Sequence, residues 1–316
     1  MVARIQKIMV LATLLAMALW WHWMAPRSLG WAWAGVLLPL LLHASVLALQ
    51  FVLMQRANAR ARANGPAPRA SAAQLLRAWA GEVVASVRLF SWRQPFRSNA
   101  EYDLLAMPGS VRMGTPTPRG VVLVHGLLCN RAVWNPWMPA LRAKGHVFHA
   151  VNLEPMLGSI EDYVPTVEAA VKRVTYLTGQ APVLLCHSMG GLVARAWLRT
   201  AQDDTRVHRV ITIGTPHHGT ALADFAYSPN GRQMQVGSDW LELLHSSEPP
   251  ERAALFTCWY SNCDNIVFPA HAATLAGADN RLLSGVAHVA LATHPQLLRV
   301  CLDELARDVY TQAVNP

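Results

Sequence analysis

The chain carries the sequence Leu184-Leu185-Cys186-His187-Ser188-Met189-Gly190-Gly191 at the junction of two contrasting segments. The apolar run that begins at Val183 is typical of a buried parallel strand, and the run from Leu192 to Arg199 is typical of a helix. Only a tight turn that bears Ser188 lies between them. Such a strand-to-helix turn, a nucleophile elbow, lifts a serine hydroxyl clear of the sheet. We therefore predict that Ser188 is a nucleophile.

The residues around Ser188 determine whether so sharp a turn can form. Gly190 and Gly191 allow the helix to start close against the strand, because neither carries a side chain. Cys186 stands where the usual G-x-S-x-G pattern has its first glycine, and a side chain there must be small because strand and helix nearly touch. Cysteine is larger than glycine but still compact. We predict that the turn, with His187 directly before the serine, forms around Cys186.

Two further polar residues follow the predicted ends of later strands. Asp264 comes shortly after the apolar run 256–260, and His288 comes shortly after Gly285-Val286. A serine nucleophile needs a base to take its hydroxyl proton and an acid to orient that base. The carboxyl ends of parallel strands meet at one edge of a sheet, so the chain order Ser, Asp, His predicts a catalytic triad of Ser188, Asp264 and His288.

The same chemistry requires an oxyanion hole, a pair of backbone N–H groups that bind the negatively charged oxygen of the intermediate. One N–H group is expected at Met189, directly after the nucleophile. The other is expected at Leu127, in the loop after residues 120–124, where Gly126 permits a close approach of the backbone. We interpret His125 as a hydrogen-bonding residue of this loop rather than as a base.

Apolar runs of strand length alternate with helix-forming segments from residue 120 onward. This alternation predicts an α/β fold with a mostly parallel central sheet and helices on both faces. The predicted strands are residues 120–124, 146–152, 182–186, 207–213, 254–260 and 280–286, and the predicted helices are residues 135–143, 162–177, 189–201 and 295–310. Residues 221–250 interrupt the alternation and form either a cap or lid over the site or an irregular surface excursion. We assign residues 98–316 to this domain.

Two apolar segments without ionised side chains, residues 8–25 and 29–54, precede the domain. Each is long enough to cross a hydrocarbon core, which needs about 20 apolar residues. Residues 1–55 are therefore predicted to form a transmembrane hairpin, with two buried helices of a soluble fold as the alternative. Residues 56–70, which contain four arginines, are predicted to be a basic linker that leaves the membrane.

The formal net charge of +8 lies entirely in the N-terminal part of the chain. Eight of the 27 basic residues precede Glu82, the first acidic residue, and the other 19 equal the 19 acidic ones. Basic residues at both ends of the hairpin predict that these ends, and with them the domain, lie in the cytoplasm at a bacterial inner membrane. Cleavage at Ala32-Trp33-Ala34 would instead leave one span and a periplasmic domain. The balanced charge of the domain argues against nucleic-acid binding.

Residues 71–97 carry apolar side chains at helical spacing, which predicts an amphipathic helix that lies either on a lipid surface or against the domain. The five cysteines are scattered and do not indicate a disulfide framework. Their spacing to histidines is not that of a zinc site, so we predict neither a metal nor a cofactor. The sequence leaves the oligomeric state open.

From about Arg119 to Tyr310 the chain resembles the bacterial lipase/esterase branch of the α/β-hydrolases. The resemblance rests on the elbow, on Asp264, and on Val124-His125-Gly126-Leu127, Ile213-Gly214-Thr215-Pro216-His217-His218-Gly219-Thr220 and Gly285-Val286-Ala287-His288. It implies hydrolysis of carboxylesters, and the segment 213–220 in particular resembles triacylglycerol lipases, whose substrates are acyl lipids. An acyltransferase, a thioesterase or a polyester depolymerase with the same triad stays open, as does a catalytically silent membrane scaffold.

Overall fold

The structure is a computed structural model that describes residues 1–63, 68–106 and 118–314, with side chains to residue 306. The strands of this described part are β1 (Val121–Val124), β2 (Phe148–Ala150), β3 (Val183–His187), β4 (Arg209–Ile213), β5 (Phe256–Tyr260) and β6 (Asp279–Leu282). They form one six-stranded sheet in the order β2-β1-β3-β4-β5-β6, and every neighbouring pair is parallel. The predicted parallel sheet is confirmed.

The helices of the described residues are α1 (Val2–Met24), α2 (Leu29–Ala63), α3 (Ala72–Arg88), α4 (Gln94–Phe96), α5 (Met138–Ala143), α6 (Val164–Thr178), α7 (Met189–Ala201), α8 (Pro229–Gln233), α9 (Asp239–Ser246), α10 (His288–Ala292) and α11 (Pro295–Val314). Helices α6 and α7 pack on one face of the sheet, and α5 and α11 pack on the other. The prediction of helices on both faces is therefore confirmed.

The central strands are apolar on both faces because helices cover each of them. In β1, Val122 and Val124 belong to the core beneath α6 and α7, whereas Val121 and Leu123 belong to the core beneath α5 and α11. All four β1 side chains are buried. Side chains alternate between the two faces of a strand, so a continuous apolar run is the sequence expected of such a strand.

Several boundaries differ from those predicted. Strand β2 covers three residues of the predicted 146–152, and β6 ends at Leu282 rather than at residue 286. The Leu283 N–H still donates to the Tyr260 carbonyl of β5 at 2.8 Å, and the backbone then turns at Gly285, whose φ is +77°. Helix α5 begins at Met138 because a 3₁₀ turn, Arg131–Trp134, precedes it. An apolar run in the sequence does not show at which residue the hydrogen bonds to the neighbouring strand end.

The N-terminal helices depart from the prediction at one end. Helix α2 continues to Ala63, so residues 56–63 are helical and the predicted linker from residue 56 is wrong over that part. Alanine and arginine favour helix and occupy most of these positions. Helices α1 and α2 are each long and apolar enough to cross a membrane. Large apolar side chains on both helices are exposed, among them Leu15, Leu19, Leu41 and Leu42.

Residues 72–96, within the segment predicted to be an amphipathic helix, are helical, although the last part is irregular. A capping box at Ser71 starts α3, and a π-helical turn, Leu89–Arg93, joins α3 to α4. One side of α3 packs against the domain through Ala78 and Glu82, and the other side exposes Leu76 and Val84. The sequence left open whether this segment lies on a lipid surface or against the domain. The face that carries Ala78 and Glu82 packs against the domain.

Candidate active site

Ser188 lies between the end of β3 and the start of α7, at the carboxyl edge of the sheet. Its backbone has φ +55° and ψ −129°, a conformation that is strained for a residue with a side chain. Two hydrogen bonds hold the turn: the Ser188 N–H donates to the Ile213 carbonyl at 2.9 Å, and Thr215 Oγ1 donates to the Ser188 carbonyl at 2.8 Å. Both partners belong to β4 or its following loop, so the neighbouring strand maintains the strained turn.

Gly126 and Gly190 lie where a larger residue would collide with the turn. A Cβ atom at Gly190 would lie 2.5 Å from the Val124 carbonyl oxygen, and one at Gly126 would lie 2.7 Å from Ser188 Cβ. A Cβ at Gly191 would meet Thr215 Oγ1 at 2.3 Å. These contacts are shorter than atoms tolerate, which explains why glycine is needed at each position.

Cys186, which replaces the usual elbow glycine, is fully buried in β3. It pairs in register with Val124 of β1 and Thr212 of β4, and it belongs to the core between the sheet and α7. Its backbone does not have a positive φ. The position therefore requires a small side chain rather than the conformational freedom of glycine.

Asp264, in the loop after β5, is paired with His288, the first residue of α10. His288 Nδ1 lies 2.9 Å from Asp264 Oδ2. The other carboxylate oxygen, Oδ1, accepts the backbone N–H groups of Ile266 at 2.9 Å and Val267 at 2.8 Å. The carboxylate is thus fixed in position, and it can orient the imidazole with Nδ1 protonated and Nε2 available for proton transfer.

The charge on Asp264 changes the proton affinity of His288. Burial alone would lower the pKa of His288, but the charge and the hydrogen bond of Asp264, with the charge of Glu82, outweigh it and raise the pKa above its ordinary value. A third neighbour, His187, has its ring centroid 4.7 Å from that of His288, with the ring planes tilted by 41°, and its Nε2–H donates to the His288 carbonyl at 3.3 Å. Burial lowers the pKa of His187 well below its ordinary value, so His187 is neutral.

Ser188 and His288 line the same cavity, which has a volume of about 460 Å³. Most of its walls are apolar, and they come from the loop after β1, the predicted lid, the loop after β5 and the helix α2; examples are Leu127, Leu222, Met234, Ile266, Val267 and Leu47. Side chains of the segment 221–250 thus form one wall beside the serine. Leu222 belongs to the 3₁₀ turn Ala221–Phe225, and Met234 directly follows helix α8.

The predicted oxyanion-hole residues lie next to this cavity. Leu127 lines it, and Met189 is the first residue of α7. Within the described part of the chain, neither backbone N–H donates to a protein acceptor. Their role in an oxyanion hole stays a prediction.

His125 supports the loop that carries Leu127. It is buried, its Nδ1–H donates to the Gly126 carbonyl at 2.9 Å, and its Nε2 accepts the Leu153 N–H at 3.0 Å. Burial lowers the pKa of His125 to about 4. A neutral histidine with both ring nitrogens engaged is a structural element of the loop, in keeping with the interpretation from the sequence.

Glu82 belongs to this site although the sequence analysis did not assign it. This buried carboxylate from α3 lines the cavity and accepts the backbone N–H groups of Val289 and Ala290, at the start of α10. One feature of the sequence could have indicated its burial. Glu82 lies four residues from both Ala78 and Ser86, so it shares their face of the helix, and both of these residues are also buried. Asn265 was missed as well; its Oδ1 accepts the His288 N–H at 3.2 Å.

A site for a metal ion would need a group of at least three suitable side chains. Among residues 1–63, 68–106 and 118–306, no group of His, Cys, Asp and Glu side chains has that arrangement. The five cysteines are free and buried.

A model of the alpha/beta hydrolase family matches residues 121–313, which is more than half of the chain. The chain belongs to this family. A triacylglycerol lipase of Burkholderia plantarii is 32% identical over 201 residues, which cover 54% of this alpha/beta hydrolase and 55% of that lipase. The chain thus spans about half the length of the curated relative it matches.

Solved structures of lipases share the fold of this alpha/beta hydrolase. The mature Bacillus licheniformis lipase BlEst2 has a TM-score of 0.54 at 21% identity, covering 60% of this chain and 93% of that one. Lipase B of Aspergillus fumigatus has a TM-score of 0.51 at 18% identity, covering 63% and 55%. These structures show the same fold. The family match confirms the predicted α/β-hydrolase family, and the 32% identity to the Burkholderia lipase supports the resemblance to the lipase/esterase branch that the sequence motifs indicated.

Proposed function

We propose that this alpha/beta hydrolase is a serine carboxylester hydrolase, a lipase or esterase that acts on acyl lipids or related esters. The observation that carries the proposal is the pairing of His288 Nδ1 with Asp264 Oδ2 at 2.9 Å, beside a cavity that Ser188 and His288 both line. A base oriented by a carboxylate next to a strained serine is the arrangement that acyl transfer by serine requires.

In the proposed reaction, His288 Nε2 takes the Ser188 hydroxyl proton while Ser188 Oγ attacks the ester carbonyl carbon. The negative charge that develops on the carbonyl oxygen is bound by the N–H groups of Leu127 and Met189. The protonated His288, stabilised by Asp264, then donates its proton to the leaving alcohol. An acyl-enzyme on Ser188 remains. Water, deprotonated by His288, attacks this ester, releases the acid and restores the serine.

The surroundings of the site support this assignment of roles. Two other histidines near His288, His125 and His187, are buried and neutral, so neither competes with it as the base. A third, His43, also lines the cavity, and its Nε2 lies 2.7 Å from Ser86 Oγ. Apolar walls beside the serine suit an acyl group and exclude bulk water, which strengthens the electrostatic interactions in the site.

Labelling with a fluorophosphonate tests the nucleophile and base together. The full chain, purified in detergent, is treated with the probe and its intact mass is measured. The wild type is expected to gain one adduct, Ser188→Ala none, and Ser246→Ala, which removes an exposed serine, one. Labelling of Ser188→Ala, or no labelling of folded wild type, would overturn the proposal. Product analysis with competing alcohols and thioesters then separates hydrolysis from acyl transfer and from thioester cleavage.

We also propose that α1 and α2 anchor the enzyme in a bacterial inner membrane, with the catalytic domain in the cytoplasm. Their length and apolarity support this, as do Arg4 and Lys7 before the first helix and the arginines at the end of the second. A C-terminal fluorescent-protein fusion is expected to fluoresce, and a C-terminal alkaline phosphatase fusion to be inactive. The opposite pair of results would indicate the periplasmic alternative.

A further inference from the structure

The helix α2, which the proposed function treats as part of an anchor, also forms one wall of the active-site cavity. Four residues of α2 line the cavity that contains Ser188: His43, Val46, Leu47 and Gln50. Their spacing of three and four residues places them on one face of the helix. This contact is unexpected for a simple tether, because a tether needs no contact with the reacting groups. This contact indicates that α2 takes part in binding the substrate.

Hydrogen bonds fix α2 relative to the catalytic residues. Gln50 Oε1 accepts Asn265 Nδ2–H at 2.7 Å, and Asn265 Oδ1 accepts the His288 N–H at 3.2 Å. Further along the helix, Asn58 Oδ1 accepts the Ala270 N–H at 2.8 Å. The position of the wall is thus set by the loop that carries Asp264 and by the start of the helix that carries His288.

Two polar atoms of this wall have hydrogen-bond partners on other parts of the chain. Gln50 Oε1 is held by Asn265, and His43 Nε2 lies 2.7 Å from Ser86 Oγ. Ser86 Oγ donates in turn to the Glu82 carbonyl at 2.5 Å. The apolar surface that α2 presents to this cavity is that of Val46 and Leu47. Such a surface favours a hydrocarbon chain, at about 0.8 kcal/mol for each buried methylene group.

The cavity reaches the surface beside Val46. This side chain lines the cavity and is nonetheless 55% exposed, whereas Leu47, one residue further, is only 6% exposed. A ligand that is apolar along its length can occupy the cavity and extend past Val46 without placing a polar group against this surface.

We propose that this cavity is the binding site for the acyl chain of the ester, and that Val46 and Leu47 of α2 set the chain length that the enzyme accepts. This inference rests on the proposed function, because it takes the carbonyl carbon to lie at Ser188. It makes the N-terminal hairpin part of the substrate site in addition to its role as an anchor.

The test is the chain-length profile of Val46→Trp in the full chain in detergent. The ratio of kcat/KM for p-nitrophenyl laurate to that for p-nitrophenyl butyrate is expected to fall at least tenfold, because the indole blocks the mouth. Leu49→Trp is the matched control. It lies on the same helix and is 58% exposed, but it does not line the cavity, so it is expected to keep the wild-type ratio. Leu47→Trp is expected to lower the ratio further.

Equal ratios for Val46→Trp and Leu49→Trp would overturn the inference. Both positions are exposed, so the comparison does not depend on whether the more buried Leu47→Trp folds. Failure of the proposed function has a different signature: the wild type would then hydrolyse neither ester and would not react with the fluorophosphonate. A wild type that cleaves both esters, with unchanged ratios in both Val46→Trp and Leu47→Trp, would leave the hydrolase assignment intact and exclude α2 from the acyl site.

Discussion

Glu82 accepts the two backbone N–H groups that directly follow His288. Its carboxylate oxygens lie 2.9 and 3.1 Å from the Val289 nitrogen and 3.0 Å from that of Ala290. These N–H groups belong to the first turn of α10 and would otherwise lack partners within the helix. The carboxylate therefore holds the start of α10, and with it the backbone of the proposed base, against α3. Burial raises the pKa of Glu82 to about 7.

Glu82→Gln is expected to move the acid limb of the kcat/KM profile to lower pH. The base must be neutral to accept a proton, and the groups that face it are Asp264, Glu82 and His187. The negative charge of Glu82 contributes to the raised pKa of His288, so its removal lowers that pKa. The two groups interact, and the profile reports apparent pKa values of the pair. Rates with p-nitrophenyl butyrate from pH 5 to 9 measure the shift.

The exposed acidic residue Glu242 provides the control for charge removal. Glu242→Gln is expected to have the wild-type profile, because it lies on the solvent side of α9. A Glu82→Gln profile that coincides with that of the wild type, or that moves to higher pH, would contradict the role of this charge. A uniform loss of rate at all pH values would indicate that Glu82 acts only as a helix cap.

The same carboxyl predicts how stability depends on pH. The pKa of Glu82 is about 7 in the folded protein, above its ordinary value of 4.5, so the folded state binds this proton more tightly than the unfolded state. Its contribution to stability is therefore fully present below pH 4.5 and is lost as pH rises toward 7. The thermal midpoint of the wild type is expected to fall more steeply between pH 5 and 8 than that of Glu82→Gln. Parallel curves for the two proteins would contradict this.

Asp264→Asn is expected to lower kcat by on the order of 10⁴-fold without unfolding the protein. The asparagine oxygen can still accept the N–H groups of Ile266 and Val267, so the loop keeps its shape. Its amide group would face His288 Nδ1 and donate to it, which favours the tautomer with the proton on Nε2. That tautomer cannot accept the serine proton. Asp279→Asn, at an exposed position in β6, is the control, and an equal loss there would refute the argument.

How much of the site the sequence predicts depends on the distance along the chain between interacting residues. The elbow is local, and the predicted helix 189–201 has the bounds found in the structure. Asp264 and His288 lie at strand ends that converge in any parallel sheet, so chain order suffices to pair them. Glu82 and Val289 are 207 residues apart and belong to elements that no topological rule brings together. The contact of Gln50 with Asn265 is of the same kind. Neither contact can be predicted without knowing how α2 and α3 pack on the domain.

Gly126→Ala is expected to lower kcat/KM by up to about 10²-fold, because the new methyl group would lie 2.7 Å from Ser188 Cβ and 3.2 Å from the His187 carbonyl. Relief of this collision displaces the nucleophile or the loop that carries Leu127. Gly81→Ala is the matched control. A Cβ at Gly81 meets nothing within 4 Å, and the residue lies inside α3, where alanine stabilises a helix by about 0.5–1 kcal/mol. Equal activities of the two variants would show that the loop adapts without cost.

Cys186→Gly, which restores the usual elbow glycine, is expected to destabilise the protein rather than to improve the enzyme. Cys186 is fully buried and its backbone does not have a positive φ, so glycine gains no conformational advantage there. It loses the packing of the side chain, and its greater backbone freedom in the unfolded chain costs a further roughly 0.5–1 kcal/mol of stability relative to alanine.

Thermal unfolding in detergent should therefore rank the wild type above Cys186→Ala, and Cys186→Ala above Cys186→Gly. The fraction of each folded variant that reacts with the fluorophosphonate should be unchanged, because the position of Ser188 is set by Ile213 and Thr215. A glycine variant that is more stable than the wild type would mean that the cysteine strains the turn.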